Sequence, residues 1–121
     1  MNWIHFSQLD QIPQIIEKSY QVPCLIFKHS TRCNISSIAK YRLENQWTFS
    51  ITEMAPYYLD LITYRDVSNN VAKELEVYHE SPQIIVIWNG EVILDASHLD
   101  ISVDEIKEVL DYNKIATGSA S

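Results

Sequence analysis

A cysteine and a serine three residues apart form the clearest candidate for chemistry in this sequence. The segment Cys33-Asn34-Ile35-Ser36 is a Cys-x-x-Ser motif. In a Cys-x-x-Cys motif, the second thiol lies one helical turn away and attacks the mixed disulfide that the first thiol forms. Here a hydroxyl takes that place. Ser36 can donate a hydrogen bond to the Cys33 sulfur, but it cannot resolve a disulfide.

The predicted surroundings of Cys33 favour its reactive form. The apolar run 23–28 predicts a buried strand, residues 29–32 a polar loop, and the pattern from Cys33 to Gln46 a helix. Free backbone N–H groups and the dipole at a helix start stabilise negative charge, so this position favours the nucleophilic thiolate. A Cys-x-x-Ser motif alone is a weak signal, and an inert buried cysteine at a helix start is the alternative.

Five further residues are candidates for support around the thiol. Thr31, Arg32 and Asn34 are its neighbours in sequence, and the exposed cation of Arg32 has little effect through solvent. His29 and His79 flank two loops that we expect to meet at Cys33, and we place both residues in the predicted substrate groove. Each is either an influence on the Cys33 proton or an ordinary solvated loop histidine.

Ser81-Pro82 strengthens the case for a reactive thiol. Pro82 precedes a predicted strand, and proline is poorly tolerated inside a sheet. An X-Pro bond is the common place for a cis peptide, and we predict one here. In thioredoxin-like folds a cis-proline at this point faces the reactive cysteine, so a similar fold would place Pro82 opposite Cys33. An ordinary trans turn is the alternative.

The second cysteine, Cys24, has a different predicted role. It begins the strand whose far end leads to Cys33, so at about 3.3 Å per residue the two lie well over 10 Å apart. A disulfide needs Cα atoms within about 7 Å. We therefore predict that Cys24 is a packed strand residue. The four histidines are scattered without zinc-ligand spacing, and we predict no metal site.

The elements that position these residues alternate between helix and strand. The predicted elements are a helix at 8–19 after a capping box at 7–10, strand 23–28, helix 33–46, strand 57–64, a helix at 68–77, a hairpin of 84–88 and 92–96 around Asn89-Gly90, and a last helix after a capping box at 102–105. Two strands joined through a helix run parallel. The sequence thus predicts a thioredoxin-like α/β fold: a mixed sheet of four strands with helices on both faces, and 3–6 as the candidate for a fifth, short edge strand.

Length and composition limit the classes of function. The chain has 121 residues, 46% of them hydrophobic and 21% charged, which fits one domain at 1–112 with a flexible tail at 113–121. A net charge of −7 disfavours nucleic acids and anionic membranes as partners. The longest apolar run, 84–88, is too short to span a membrane, and the N-terminus does not resemble a secretory signal. We expect a cytoplasmic protein with reduced cysteines.

Taken together, the motifs resemble those of a known family. The segments 29–37, 79–83, Asn89-Gly90 and 96–98 are similar in order and spacing to those of the monothiol bacilliredoxins, the YtxJ-like proteins of the bacillithiol system. The resemblance runs from about Trp3 to Leu110. One departure is Asn34, where members often carry proline.

The resemblance implies a cytoplasmic thiol–disulfide oxidoreductase that removes bacillithiol, a cysteine-containing small thiol, from protein cysteines. It implies that Cys33 is the reactive thiol, that Ser36 stands where a resolving thiol is absent, and that Ser81 and cis-Pro82 lie in the substrate groove. Bacillithiol is then a co-substrate, with no tightly bound cofactor. The expected partners are S-bacillithiolated proteins, and the expected state is a monomer or a weak dimer.

Two other functions stay open. One is a redox-sensing or partner-binding module in which Cys33 is capped once, without catalytic turnover. The other is an iron–sulfur protein similar to monothiol glutaredoxins. Since iron–sulfur clusters need cysteinate ligands, one such cysteine per chain requires a dimer.

Overall fold

A five-stranded sheet with helices on both faces forms the molecule. The computed structural model describes residues 1–113 and 115, so most of the expected flexible tail lies outside the described residues. The elements are β1 (Ile4–His5), α1 (Gln11–Lys18), β2 (Cys24–His29), α2 (Asn34–Gln46), β3 (Ala55–Asp60), α3 (Arg65–Glu74), β4 (Gln83–Trp88), β5 (Glu91–Ser97), a 3₁₀ turn (His98–Asp100) and α4 (Val103–Tyr112). None of the helices in the described residues combines the length and apolar character of a membrane span.

The sheet is mixed, with strand order β1-β3-β2-β4-β5. β2 pairs with β3 in parallel through the crossover helix α2, whereas β4 runs antiparallel to β2 and to β5. The carboxyl end of β2 therefore lies beside the amino end of β4: Lys28 pairs with Gln83 in register. This arrangement confirms the predicted mixed sheet, including the short edge strand β1.

Alternation along β2 supplies a core to each face of the sheet. Cys24 and Ile26 pack with α1 and α3, while Leu25 and Phe27 pack with α2 and α4. All six residues of the strand are buried. Because successive side chains point to opposite faces, the last two residues, Lys28 and His29, also turn to opposite faces.

The predicted hairpin and the last capping box are confirmed. Asn89 and Gly90 have φ values of 53° and 79°, as the turn between β4 and β5 requires. A Cβ at Gly90 would also meet the end of the Tyr20 side chain, which is more than half exposed and would have to move aside. The Ser102 hydroxyl accepts a hydrogen bond from the Glu105 N–H and caps α4.

The first predicted capping box is wrong. α1 begins at Gln11 rather than at residue 8, and its N-cap, Asp10, makes no capping hydrogen bond with its side chain. The Gln11 side chain organises the segment instead, since its Oε1 accepts from the N–H groups of Ser7 and Gln8. The side-chain amide of Gln11, one residue after the predicted capping box at 7–10, thus takes the role that was expected for the Ser7 hydroxyl.

Two boundaries around β3 also differ from prediction. The strand ends at Asp60 instead of residue 64, because the Asp60 carboxylate accepts hydrogen bonds from the backbone N–H groups of Ile62 and Thr63 and turns the chain. α3 consequently begins at Arg65, three residues before Ser68. Ser68 is buried inside the helix and does not cap it.

Candidate functional site

Cys33 lies where β2 leads into α2, at the same edge of the sheet as the amino end of β4. It is the N-cap residue of α2, half-buried, with extended backbone angles. Its N–H donates to the Ser30 carbonyl at 3.2 Å, and its carbonyl accepts from the Ser37 N–H at 3.1 Å. The thiol therefore projects from the first turn of a helix, where unpaired N–H groups favour an anion.

Ser36 does not serve Cys33 in the expected way. Its side chain is buried, its Oγ accepts from the Ser30 N–H at 3.0 Å, and it lies 2.6 Å from Nδ1 of His29. Within the described chain, these are the two hydrogen bonds of its hydroxyl. The predicted bond to the Cys33 sulfur is thus replaced by bonds that fix the loop before Cys33.

His29 is the last residue of β2 and not part of a solvated loop. Its ring is 4% exposed and packs against Phe27 and Tyr58, with ring centroids 5.5 and 5.6 Å away. Burial lowers the pKa of His29, and the nearby Lys40 ammonium lowers it further. In its neutral form with the proton on Nε2, the imidazole accepts a hydrogen bond at Nδ1 from the Ser36 hydroxyl. The pair forms a buried support beneath the loop that carries Cys33.

The remaining neighbours of Cys33 are on the surface. Thr31, Arg32 and Asn34 are exposed. The Arg32 backbone N–H donates to the Ser30 hydroxyl at 3.3 Å. Their side chains are therefore free to meet a ligand rather than being part of the packed scaffold.

The Ser81-Pro82 peptide is cis, as predicted. The Pro82 carbonyl accepts from the His98 N–H at 3.0 Å, which joins the segment to the end of β5. The Glu80 carboxylate lies 3.7 Å from the His98 ring on the surface. The Ser81 hydroxyl oxygen is buried and has no hydrogen-bond partner among the described residues. A buried hydroxyl without a hydrogen bond lowers the stability of the fold, and buried polar groups are rarely left in this state.

A buried lysine, Lys28, was not identified from the sequence. It is fully buried, and its Nζ donates to the Ser68 carbonyl at 3.1 Å and lies 3.2 Å from Nδ1 of His79. Burial lowers the pKa of Lys28 to about 8. The pKa of His79 is also lowered, first by burial and then by the Lys28 and Arg65 cations. His79 is thus engaged with Lys28 on the α3 face of the sheet.

Gln83 completes the network around the segment that precedes Pro82. Its side-chain amide donates to the Tyr78 carbonyl at 2.9 Å and accepts from the Glu80 N–H at 3.3 Å. Lys28 and Gln83 are register partners, so their side chains share one face. Together the two side chains bond to all three residues of the segment 78–80. The signal in the sequence was a pair of polar residues at inward positions of two apolar strands.

Cys24 is sealed in the core, which confirms the prediction for this residue. It is 0% exposed, and its Sγ lies 3.5 Å from the Val22 carbonyl and 3.7 Å from the Ile15 carbonyl. Burial raises the pKa of Cys24 to about 12. Both cysteines are free. The described residues contain no cluster of three or more histidine, cysteine or acidic side chains that could hold a metal ion.

Comparisons with known proteins agree with this geometry. The family model described as "Monothiol bacilliredoxin BrxC" matches residues 4–106. A solved structure of a candidate oxidoreductase with a thioredoxin fold is 34% identical, with a TM-score of 0.74 over 88% of this chain and 91% of that chain.

More distant structures share the fold. Thioredoxin from Malassezia sympodialis is 16% identical, with a TM-score of 0.67 over 92% of this chain and 90% of that one. Thioredoxin from Trypanosoma brucei brucei is 12% identical, with a TM-score of 0.69 over 93% and 92%. The fold of this chain is therefore the thioredoxin fold.

Proposed function

Since this chain belongs to the monothiol bacilliredoxin family of thioredoxin-fold thiol oxidoreductases, we propose that it removes bacillithiol from S-bacillithiolated protein cysteines. The observation that carries the proposal is the contrast between its two thiols. Cys33 is half-buried at a helix start, whereas Cys24 is fully buried in a strand. One thiol is available to a substrate, and the other is available neither to a substrate nor to Cys33.

The first step is a thiol–disulfide exchange at Cys33. The Cys33 thiolate attacks the bacillithiol sulfur of the mixed disulfide, and the bond between that sulfur and the protein sulfur breaks. The departing protein thiolate takes up a proton from water, and Cys33 is left as a mixed disulfide with bacillithiol. The position of Cys33 at the N-terminus of α2 supports this role, because backbone N–H groups at a helix start interact favourably with negative charge.

The second step requires another molecule of the small thiol. A bacillithiol thiolate attacks the bacillithiol sulfur on Cys33, which forms oxidised bacillithiol and returns Cys33 to the thiolate. Over the two steps one mixed disulfide is converted into one bacillithiol disulfide, so the number of disulfide bonds is unchanged: the incoming bacillithiol loses a proton and the released protein thiolate gains one. Ser36 cannot perform this step because it has no thiol, and Cys24 cannot because it is buried.

The segment around Ser81 and Pro82 is the proposed groove for the capped protein. This placement is supported by the register of the sheet, which puts the amino end of β4 beside the carboxyl end of β2, next to the loop that carries Cys33. Two free cysteines also fit the reducing cytoplasm, which we propose as the location of the protein.

The proposal is tested by turnover with a bacillithiolated protein and free bacillithiol. The wild type and Cys24→Ala are expected to release the protein thiol at equal rates, over many equivalents. Cys33→Ser is expected to be no faster than bacillithiol alone. Release that stops after one equivalent would overturn the proposal and indicate a sensor. Full activity of Cys33→Ser would overturn the assigned nucleophile.

A further inference from the structure

A polar groove runs along α2 away from Cys33. We call it the α2 groove; it has a volume of about 460 Å³ and is lined by His29, Thr31, Ser37, Lys40, Glu44 and Tyr58, among others. A volume of this size is typical of small-molecule sites. The groove lies between β3 and α2, on the side of the sheet opposite to Lys28.

The position of the α2 groove relative to Cys33 follows from helix geometry. Ser37, Lys40 and Glu44 recur at intervals of three and four residues, so they share one stripe of α2 with the N-cap residue Cys33. Ser37 is in contact with Cys33 through its backbone N–H. At 1.5 Å per residue, Lys40 lies about 10 Å further along the helix axis than Cys33. The groove thus begins one turn from the thiol and ends within reach of a small molecule attached to it.

The groove contains one cation, Lys40, and one carboxylate, Glu44, and its free hydrogen-bond donors belong to the cation. Glu44 already accepts two hydrogen bonds, from Trp3 Nε1 at 2.7 Å and from Lys40 Nζ at 2.9 Å. Lys40 has three N–H donors, of which this bond uses one. It also lies 6.0 Å from the centroid of the Tyr58 ring, half-buried and held in place. The groove therefore offers unused donors on Lys40, next to the hydroxyls of Thr31 and Ser37.

From this geometry we infer that the α2 groove binds the part of the small thiol remote from its sulfur, with a carboxylate of that thiol paired to Lys40. The inference rests on the proposed function in that it assumes a small thiol on Cys33. It assigns the recognition of a carboxylate-bearing thiol to Lys40. Glu44 fixes the Lys40 ammonium and Trp3 fixes the Glu44 carboxylate, so both act as positioning residues.

The experiment compares two small thiols that differ only at the end remote from sulfur. Cys33 is equilibrated with 6-mercaptohexanoic acid and 6-mercaptohexanol at equal concentrations, together with their disulfides, and intact mass spectrometry gives the ratio of the two adducts. The exchange replaces one small thiol on Cys33 with the other, with no net oxidation. The two thiols have similar alkyl chains, so without a groove interaction the ratio is close to one.

The wild type is expected to favour the carboxylate adduct about fivefold, as for a partly exposed charge-assisted hydrogen bond. Lys40→Met is expected to bring the ratio to about one, because it removes the charge and keeps the length of the side chain. Lys73→Met removes an exposed charge on α3, across the sheet, and is expected to keep the wild-type preference.

A wild-type ratio of one, or a preference that survives in Lys40→Met, would overturn the inference. Neither result bears on the release of thiol from a capped protein, which is measured separately. Conversely, a Lys40-dependent preference together with failed turnover would retain the groove and reject the proposed catalytic cycle. The two proposals can thus fail independently.

Discussion

The two ends of β2 show how burial acts on ionisable groups of opposite charge type. At the amino end, burial keeps Cys24 in its neutral form and raises its pKa to about 12. At the carboxyl end, burial favours the neutral amine and lowers the pKa of Lys28 to about 8. The cause is the same, because removal from water disfavours any charge. The sign differs because a thiol gains its charge on losing a proton, whereas an amine loses it.

The two ends also differ in what surrounds them. Cys24 is embedded in the apolar core between the sheet and α1. Lys28 lies in a polar network that includes Ser68, His79 and the neighbouring Gln83. A buried ammonium without a carboxylate partner costs stability. At the end of the sheet that leads to Pro82, polar side chains thus take the place of the apolar packing found around Cys24.

The largest expected difference is in the reactivity of the two cysteines. At neutral pH, iodoacetamide should modify Cys33 at least about 100-fold faster than Cys24, because Cys24 is fully buried and protonated. Peptide mapping after timed quenching measures both rates. In denaturant the two rates should become similar. Equal rates in the native protein would remove the distinction between the two ends.

The next largest effect concerns the stability provided by Lys28. Lys28→Met should raise the free energy of unfolding at neutral pH by about 2 kcal/mol, because it removes an uncompensated buried charge. Between pH 8 and 10.5 the folded wild type has lost the Lys28 proton while the unfolded chain keeps it. The contribution of Lys28 to wild-type stability therefore rises with pH in this window, and the gap between the wild type and the variant closes. The opposite slope from Cys24 is common to both proteins and cancels in this difference.

Denaturant unfolding at several pH values measures this gap. Lys73→Met, which changes an exposed lysine of α3, is the matched control and should follow the wild type. A gap that is the same at all pH values would show that Lys28 does not titrate differently in the folded state.

The smallest expected effect is at Cys24 and has the opposite sign. The folded state keeps the Cys24 proton up to about pH 12, whereas the unfolded chain loses it near 9.0. Stability contributed by this group is thus complete below pH 9.0 and is lost as pH rises, by about 1 kcal/mol per pH unit. Cys24→Ala removes this slope. Comparing the two unfolding curves between pH 8 and 10.5 measures it, and parallel curves would contradict the expectation.

Much of the fold could be predicted because its signals are local. The Asn89-Gly90 turn, the capping residue Ser102 and the apolar run before Cys33 each determine their element within a few residues. The boundaries at Asp60 and Gln11 could not be placed, because side chains of these residues bond to backbone groups in ways that periodicity does not reveal.

The site was only partly predictable for a related reason. Cys33 and the cis peptide before Pro82 were visible as motifs. The partners of Lys28, in contrast, lie 40 and 51 residues away in sequence. The bond between Ser36 and His29 depended on a strand that ends one residue later than the hydropathy pattern indicated. Such contacts arise from the packing of α2 and α3 on the sheet.

The transfer of bacillithiol to Cys33 can be observed directly by locating the bacillithiol adduct in the protein after a single exchange. The reduced protein is mixed with one equivalent of a bacillithiolated protein, without free bacillithiol, and quenched with acid before peptide mapping. We expect the peptide that contains Cys33 to gain the mass of one bacillithiol per chain, and we expect an equal amount of the protein thiol to be released. An adduct on the Cys24 peptide, or release without any adduct, would contradict this expectation.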